Sequence, residues 1–530
     1  MTERATSLVD LAKRTGLLDP RRIPSLTAAT ARWGPTIAAP FTASALSSPR
    51  GTAIIDDHGP MTFADLDRNS SRLATGLHGI GLARGDRLGL ACRNHRDFVE
   101  VTVAAAKAGV GVVYLNTSFA APQMAEVLAR EDIAAVAIDA ELLHLVDTDS
   151  VTLPIIVTAR SGDDLGDLEG RDLHTLTSVR GAGSRWRPLR ASLPVPPVLL
   201  TSGTTGTPKG AQRSNRVDPS GAASVIDRIP YRYDDIVGIT SPLFHAWGLA
   251  QLALASTLGA TVALTTTFDA ETTLAQIERE RITVLAVVPA IIQRLLASAS
   301  LDSTDLSSLR VVASSGSALP VPVVEEWFDR VGPNLYNLYG STEVGQATLA
   351  TPDDLAAEPA TAGRPLAGST IAILDDSGNE IGPGAVGRIF VGNGAQFDRY
   401  TGGGGKEIVD GLMASGDVGY LTPEGLLFVT GRADDMIVSG GENVFPQEIE
   451  DLLLTHPEIS DVAIVAVDDD DFGQRFAAYV VKPPGSRLSS SAVKQWVGDQ
   501  LARHKTPRDV HFVDALPRTE TGKIRRNQLG

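Results

Sequence analysis

With 530 residues, 43% of them hydrophobic, the chain can bury a sizeable core and is too long for one simple domain, so two or more domains are expected. Its 47 basic and 63 acidic side chains give a net charge of -16, which disfavours nucleic acid or an anionic membrane as main partner but leaves room for a local basic nucleotide pocket. The single cysteine, Cys92, excludes an intrachain disulfide and a thiolate metal site, and the nine histidines lack HExxH spacing.

The N-terminus lacks a signal-peptide core, and the longest apolar runs, Val101 to Leu115 and Ile282 to Ile292, are interrupted by Lys107 and Pro289. No integral membrane segment is expected, and the cytoplasm is the expected compartment. Thr52 to Asp56 reads as a strand turned by Asp57-His58-Gly59. Thr62 with Asp65 marks a capping-box start, and Phe63, Leu66, Leu73 and Leu77 form the apolar face of the helix that follows. The rhythm continues with strands at Arg87 to Ala91, Gly111 to Leu115 and Ala134 to Ile138, and helices at Asp97 to Lys107 and Met124 to Arg130. This alternation predicts an α/β fold with doubly wound sheets.

From about Ser161 to Pro197 the pattern loosens into a polar stretch rich in Gly, Arg and Pro, read as a long surface connection. It delivers the chain to Thr201-Ser202-Gly203-Thr204-Thr205-Gly206-Thr207-Pro208-Lys209-Gly210, where glycines, hydroxyls and one lysine suit an anion cradle. The stretch fails the P-loop pattern, because Pro208 replaces the second glycine and Gly210 the metal-binding hydroxyl. Strands are expected at Ile236 to Thr240, Ala260 to Leu264, Val284 to Val288 and Val311 to Ser314, with helices at Leu274 to Arg281 and Ile291 to Ala297. The last of these strands runs into Gly316-Ser317-Ala318, at the kind of strand end where open α/β sheets bind ligands.

Short strands at Ile371 to Leu374, Gly387 to Val391 and Gly425 to Val429 predict a distorted β subdomain, and Gly402 to Gly405 a mobile loop. From Asp434 the character changes to a compact α+β unit. Its helix starts at Pro446 with Ile449, Leu452 and Leu453 on one face, and strands follow at Val462 to Val467, Phe476 to Val481 and Val510 to Val513, with a helix carrying Val493, Trp496, Val497 and Leu501.

Four further polar clusters carry chemistry. Tyr339-Gly340-Ser341-Thr342-Glu343 sets an aromatic ring, a hydroxyl and a carboxylate in one turn, where tyrosine could stack on a base and glutamate could hold Mg2+ against phosphates. Ser415-Gly416-Asp417 offers a carboxylate for ribose hydroxyls. Gly431-Arg432-Ala433-Asp434-Asp435 is followed by Ser439-Gly440-Gly441-Glu442-Asn443. Pro517-Arg518-Thr519-Glu520-Thr521-Gly522-Lys523 puts a lysine on a glycine-flanked loop.

With these motifs in this order, the chain from about Thr52 onward resembles the superfamily of adenylate-forming enzymes that includes acyl-CoA synthetases, adenylation domains of peptide synthetases and firefly luciferase. The wording is similar to bacterial fatty acyl-CoA synthetases. The resemblance implies an N-terminal domain over 1–433 and a small mobile C-terminal domain over 434–530, hinged at Asp434. It assigns Thr201, Ser202, Gly203, Thr204, Thr205 and Lys209 to the ATP phosphates, and Gly316, Ser317, Ala318, Tyr339 and Gly340 to the adenine pocket. Thr342 falls to the α-phosphate, Glu343 to Mg2+, and Asp417 and Arg432 to the ribose side. His245, Trp247 and Gly248 border the acyl pocket, Gly440 and Gly441 the CoA channel, and Lys523 bridges the carboxylate and phosphate oxygens.

The implied reaction forms an acyl-adenylate from ATP and a hydrophobic carboxylic acid, fatty or similar, and transfers the acyl group to CoA. An acyl-AMP ligase loading a separate carrier protein, and an inactive nucleotide-binding relative, are the alternatives. Lys209, Glu343, Asp417, Arg432 and Lys523 are all present, against the inactive reading. The short Val344 to Ala362 segment leaves no room for the insertion typical of stand-alone acyl-AMP ligases, which favours CoA. Gln212 to Arg216 departs from the family, where many relatives carry an apolar pair and then a histidine. Small residues at Gly248, Ser314, Ser315, Gly316 and Gly340 suggest space for a bulky acyl group.

Overall fold

The computed structural model describes residues 8–16, 18–147, 152–158, 173–183, 195–201, 209–212, 219–435, 437–439, 442–469, 473–519 and 522–529. Two compact units emerge, one of Met1–Val287, Ala297–Ala313 and Gly394–Gly405, the other of Val288–Leu296, Ser314–Asn393 and Lys406–Gly530.

The first unit contains two stacks of strands. In one, Val284–Val287, Ile236–Ile239, Thr261–Leu264 and Thr52–Asp56 lie side by side in that order, with Gly59–Thr62 returning antiparallel at the edge. In the other the order is Arg399–Tyr400, Gly210–Gln212, Val198–Leu200, Gly111–Tyr114, Arg87–Ala91, Ile133–Asp139, Ile155–Thr158 and Leu173–Thr175. Neighbouring strands from Val198–Leu200 to Leu173–Thr175 are parallel, which requires helical crossovers and buries both sheet faces.

The crossover helices form as their patterns dictate. Thr62 caps helix Phe63–Gly79 by accepting the Asp65 N–H, and Leu66, Leu73 and Leu77 are fully buried. Lys107, buried on helix Arg96–Ala108, is held by the Asp67 carboxylate at 2.7 Å and the Ser70 hydroxyl at 2.9 Å.

Three local readings are revised. The stretch from Ser161 to Pro197 is not wholly a loose connection, since Leu173–Thr175 extends the sheet and Leu176–Ala182 is a helix capped by Thr175. Its short apolar pattern is hidden among Gly and Arg. The strand expected at Gly425 to Val429 is shifted to Leu427–Arg432, because residues before it form the turn closed by Gly425 N–H to Thr422 O. Helix Ala246–Leu258 was not foreseen; it is apolar all round and so lacks the periodic stripe that reveals a surface helix.

In the second unit, Leu335–Ser341, Gly345–Ala350 and Arg364–Pro365 form an antiparallel ribbon. A second sheet runs Thr370–Leu374, Gly387–Gly392, Leu412–Leu421 and Ile408–Val409, with Leu427–Arg432 also paired to Leu412–Leu421. The C-terminal stretch forms the expected α+β element, with strands Glu442–Val444, Ile437–Ser439, Gly473–Val481 and Asp461–Asp469 in order and Asp509–Val513 beside Gly473–Val481. Helices Pro446–Leu454 and Ser490–Gly498 cover its core of Ile449, Leu453, Val462, Ile464, Val480, Val493 and Val497.

Candidate active site

In the first unit the residues flanking the glycine-rich stretch are paired with one another. Leu200 pairs antiparallel with Gly210, and the Thr201 N–H donates to Lys209 O at 2.8 Å. Ser202, Gly203, Thr204 and Thr205 lie outside the described residues. Gly210 is dictated by packing, since a Cβ there would stand 2.6 Å from Val198 Cγ1 and 2.7 Å from the Thr401 hydroxyl. The exposed Lys209 ammonium lies 5.5 Å above the Tyr400 ring, a cation–π contact that directs the side chain before any phosphate arrives.

Close to this pairing is a small open recess lined by Tyr114, Asn116, Phe119, Leu200, Thr201, Phe244 and His245. His245 precedes helix Ala246–Leu258, its ring tilted against Phe244. The other expected acyl-pocket residues have structural duties. Trp247 is buried with its indole N–H on Val287 O at 2.9 Å, and a Cβ on Gly248 would meet Pro242 O at 2.3 Å.

The segment leading to His245 is fixed by Asn94, which the sequence reading missed. This buried amide donates to Ile239 O at 3.2 Å and Ser241 O at 2.9 Å, and accepts the Leu243 N–H at 2.8 Å. An asparagine at a strand-to-helix junction carries no spacing signal, because its partners lie about 150 residues away.

Cys92 is not isolated. Its Sγ lies 3.0 Å from the Thr158 hydroxyl, Thr158 donates to Asp139 at 2.7 Å, and His95 Nε2 lies 2.9 Å from the same carboxylate. Cys92, His95 and Asp139 present possible ligand atoms within 4.8 Å of one another. His95 Nδ1 accepts the Asp97 N–H, however, so Nε2 holds the proton shared with Asp139, and burial and the Asp139 charge push the thiol well above its usual range. The arrangement is a filled hydrogen-bond network.

The second unit assembles most of the remaining expected residues. The Tyr339-to-Glu343 motif runs from a strand end into a hairpin turn, with Tyr339 opposite Thr348, Ser341 opposite Gly345, and Thr342 and Glu343 in the turn. A Cβ on Gly340 would lie 2.1 Å from Gly345 O, so that glycine permits the hairpin to close. The Tyr339 hydroxyl donates to Asp417 at 2.6 Å. Asp417 and Arg432 are cross-strand partners, which places the guanidinium 3.8 Å from the carboxylate. Ser415 braces the strand, accepting the Asp417 N–H and donating to Ile389 O, both at 3.0 Å.

Ser315 donates to Leu338 O at 2.7 Å and so ties the exposed Gly316-Ser317-Ala318 segment to the Tyr339 strand. Gly316 has φ +97°, a conformation suited to glycine, and an added Cβ would touch only Val288 at 3.4 Å. At Gly248 and Gly340 backbone already stands where a Cβ would go, and Ser314 and Ser315 are buried.

Glu343 is partly buried and accepts the Ser341 hydroxyl at 3.0 Å, and Thr342 stands beside it. A carboxylate oxygen at this position fits Mg2+, which prefers one or two carboxylates together with phosphate oxygens.

The described residues on either side of the Lys523 loop bond to one another. Thr519 N–H donates to Lys523 O at 2.8 Å, Lys523 N–H to the Thr519 hydroxyl at 3.1 Å, and Arg525 N–H to Pro517 O at 2.8 Å. Arg518 clamps the loop to Asp461 with two 2.8 Å bonds. Gly522, at φ +79°, lies so near Ala290 that a Cβ would come within 2.6 Å of the alanine methyl.

Lys523 is thus delivered to the Asp417 cluster. Burial, reinforced by Arg432, lowers its pKa, and Asp417, Glu343 and Asp435 oppose the shift. Asp417 moves the other way: burial raises its pKa against the Tyr339 hydrogen bond and the charges of Arg432, Lys523 and Lys406. The site therefore gathers an aromatic ring, two carboxylates and cations from distant segments, as binding a charged nucleotide demands. Asp434 is in the short 3-10 turn Ala433–Asp435, and Gly440 and Gly441 lie outside the described residues.

Two family models match the sequence. The model for AMP-binding enzyme matches residues 41–401, and that for the AMP-binding enzyme C-terminal domain matches residues 448–523. The chain is 32% identical to the indoleacetate–CoA ligase of Aromatoleum aromaticum, over 91% of this chain and 95% of that protein. It is 29% identical to the fatty acid–[acyl-carrier-protein] ligase ScoC of Streptomyces coeruleorubidus, over 91% and 93%. Among solved structures, the amide bond synthetase McbA from Marinactinospora thermotolerans superimposes with a TM-score of 0.79 at 27% identity, covering 96% of this chain and 99% of that one.

Proposed function

The chain belongs to the AMP-binding enzyme family, the adenylate-forming ligases, and we propose that it activates a hydrophobic carboxylic acid, fatty or aromatic, and transfers it to CoA. It is an AMP-forming acid–thiol ligase. In the first half-reaction a carboxylate oxygen attacks the α-phosphorus of ATP, a P–O bond forms, and pyrophosphate leaves. Both reactants are anionic, so the barrier falls when positive charge is aimed at the oxygens they come to share. Lys523 supplies that charge. Asp417 orients the ribose and Tyr339 packs on the base; the loop from Thr201 to Lys209 holds the departing pyrophosphate, and Thr342 contacts the α-phosphate. Glu343 would hold Mg2+, which when bound neutralises phosphate charge.

In the second half-reaction the CoA sulfur attacks the acyl carbon, its proton is lost, and AMP departs with the phosphate oxygen. We assign residues 1–433 to the nucleotide and acyl domain and 434–530 to a mobile domain hinged at Asp434. Its rotation withdraws Lys523 and brings Gly440 and Gly441 to the thiol channel. His245 faces the acyl group. The observation that carries the reading is the delivery of Lys523, on a self-bonded loop, to the cluster of Asp417, Arg432 and Glu343.

Acid-dependent ATP–pyrophosphate exchange over a panel of fatty and aryl acids, followed by mass detection of the CoA thioester, tests it. Exchange with no acid on the panel would overturn the substrate class. The likeness to a carrier-protein ligase and to an amide bond synthetase supports a second reading, in which the adenylate is passed to a carrier thiol or an amine. Exchange without thioester, but with product when a carrier protein or an amine replaces CoA, would select it.

A further inference from the structure

Lys406 belongs to none of the nucleotide motifs, yet the fold places it beside one. It follows the four glycines at 402–405 and precedes strand Ile408–Val409, which pairs with the beginning of the long strand Leu412–Leu421 that carries Asp417. The strand therefore doubles back, and the ammonium reaches the Gly416–Asp417 bend. Gly416 has φ +89°, and a Cβ built there would lie 3.2 Å from Lys406 Nζ and 3.2 Å from Arg432 Nη2. Two cations, one from the loop before Ile408–Val409 and one from strand Leu427–Arg432, thus flank one glycine, immediately before the carboxylate expected to bind ribose. Like charges this close repel each other; the Asp417 carboxylate offsets part of that repulsion, and a phosphate over Gly416 would add the negative charge that two cations beside one carboxylate still lack. A side chain at 416 would obstruct that space.

We propose that Lys406 is a further nucleotide-binding residue, which with Arg432 grips the α-phosphate of the adenylate across Gly416. The inference rests on the adenylate-forming reading and adds a division of labour to it. Lys523 precedes the last few residues of the C-terminal segment and departs with it after adenylation, whereas Lys406 and Arg432 both precede the hinge at Asp434. They remain with the acyl-adenylate and hold the AMP leaving group while the thiol attacks.

The test is equilibrium binding of AMP and of adenosine to the full-length wild type, Lys406→Ala and Lys406→Arg, with the thermal midpoint of each as a folding control. AMP affinity is expected to fall about five- to tenfold in Lys406→Ala and to recover largely in Lys406→Arg, with adenosine affinity unchanged in both. Unchanged AMP affinity in Lys406→Ala, or an equal loss for AMP and adenosine, would overturn the phosphate assignment. Wild type that binds neither ligand would instead refute the adenylate reading on which the proposal rests. If Lys406→Ala does not fold, Lys406→Gln carries the same test.

Discussion

The Tyr339 hydroxyl donates to the Asp417 carboxylate at 2.6 Å, joining two motifs that are 78 residues apart in the chain. The bond fixes the tilt of the aromatic ring and turns the carboxylate at the same time. On the proposed roles, this one pair would couple the base and ribose subsites. A hydrogen bond to a charged acceptor contributes about 1.5 to 3 kcal/mol. Tyr339→Phe should accordingly raise the KM for ATP about tenfold with little change in kcat or in the KM for the acid. Steady-state kinetics varying each substrate separately would check this, and a lowered kcat at unchanged KM would contradict it.

Lys523 must be protonated to stabilise the pentavalent phosphorus, and burial together with Arg432 depresses its pKa below the lysine value of 10.5. For a base with a lowered pKa the charged form is lost earlier as pH rises. Pyrophosphate exchange should therefore decline on the alkaline side at a pH below the ordinary lysine range. In Lys523→Arg the residual exchange should lose that limb, because arginine stays charged. A shared alkaline limb in both proteins would place the titration on another group.

Gly522 seats the lysine loop against Ala290, with 2.6 Å available for a Cβ. Gly522→Ala should slow adenylation at least tenfold, and Lys523→Ala should abolish it. Both variants should still convert supplied acyl-adenylate to thioester at near wild-type rate. Equal loss of both half-reactions would remove the division of labour between them.

Asn94 makes three hydrogen bonds that hold the segment before His245. Asn94→Asp keeps the shape but replaces the two amide donors with an acceptor facing carbonyl oxygens, and should destabilise the fold by about 2 to 4 kcal/mol. Where the variant folds, the KM for the acid should rise while the KM for ATP stays near wild type. A parallel rise in both constants would reduce Asn94 to a general stability role.

The hinge assignment is tested by Asp434→Pro, which fixes φ at the residue expected to rotate. Thioester formation should slow by more than the adenylation half-reaction does, as measured by single-turnover kinetics of each. An unchanged ratio of the two rates would move the hinge elsewhere.

Much of the architecture is legible in the residues because local patterns suffice for it. The Thr62 cap, the Leu66–Leu73–Leu77 stripe and the strand Arg87–Ala91 are decided by side chains within a few positions of one another, and the structure reproduces them. Helix Ala246–Leu258 was invisible for the opposite reason, since its apolar residues are spread over every face and leave no polar stripe to set its period. The sequence also singles out Tyr339, Glu343, Asp417, Arg432 and Lys523 by chemistry and order as the candidate site residues. Only the tertiary structure decided how they meet. Register makes Asp417 and Arg432 cross-strand partners and sets Gly340 against the Gly345 carbonyl, packing sets Gly248 against the Pro242 carbonyl, and long-range contacts bring Asn94 to the segment before His245 and Lys406 to Gly416. Pairing register and long-range hydrogen bonds depend on residues tens to hundreds of positions apart, and no local periodicity encodes that distance.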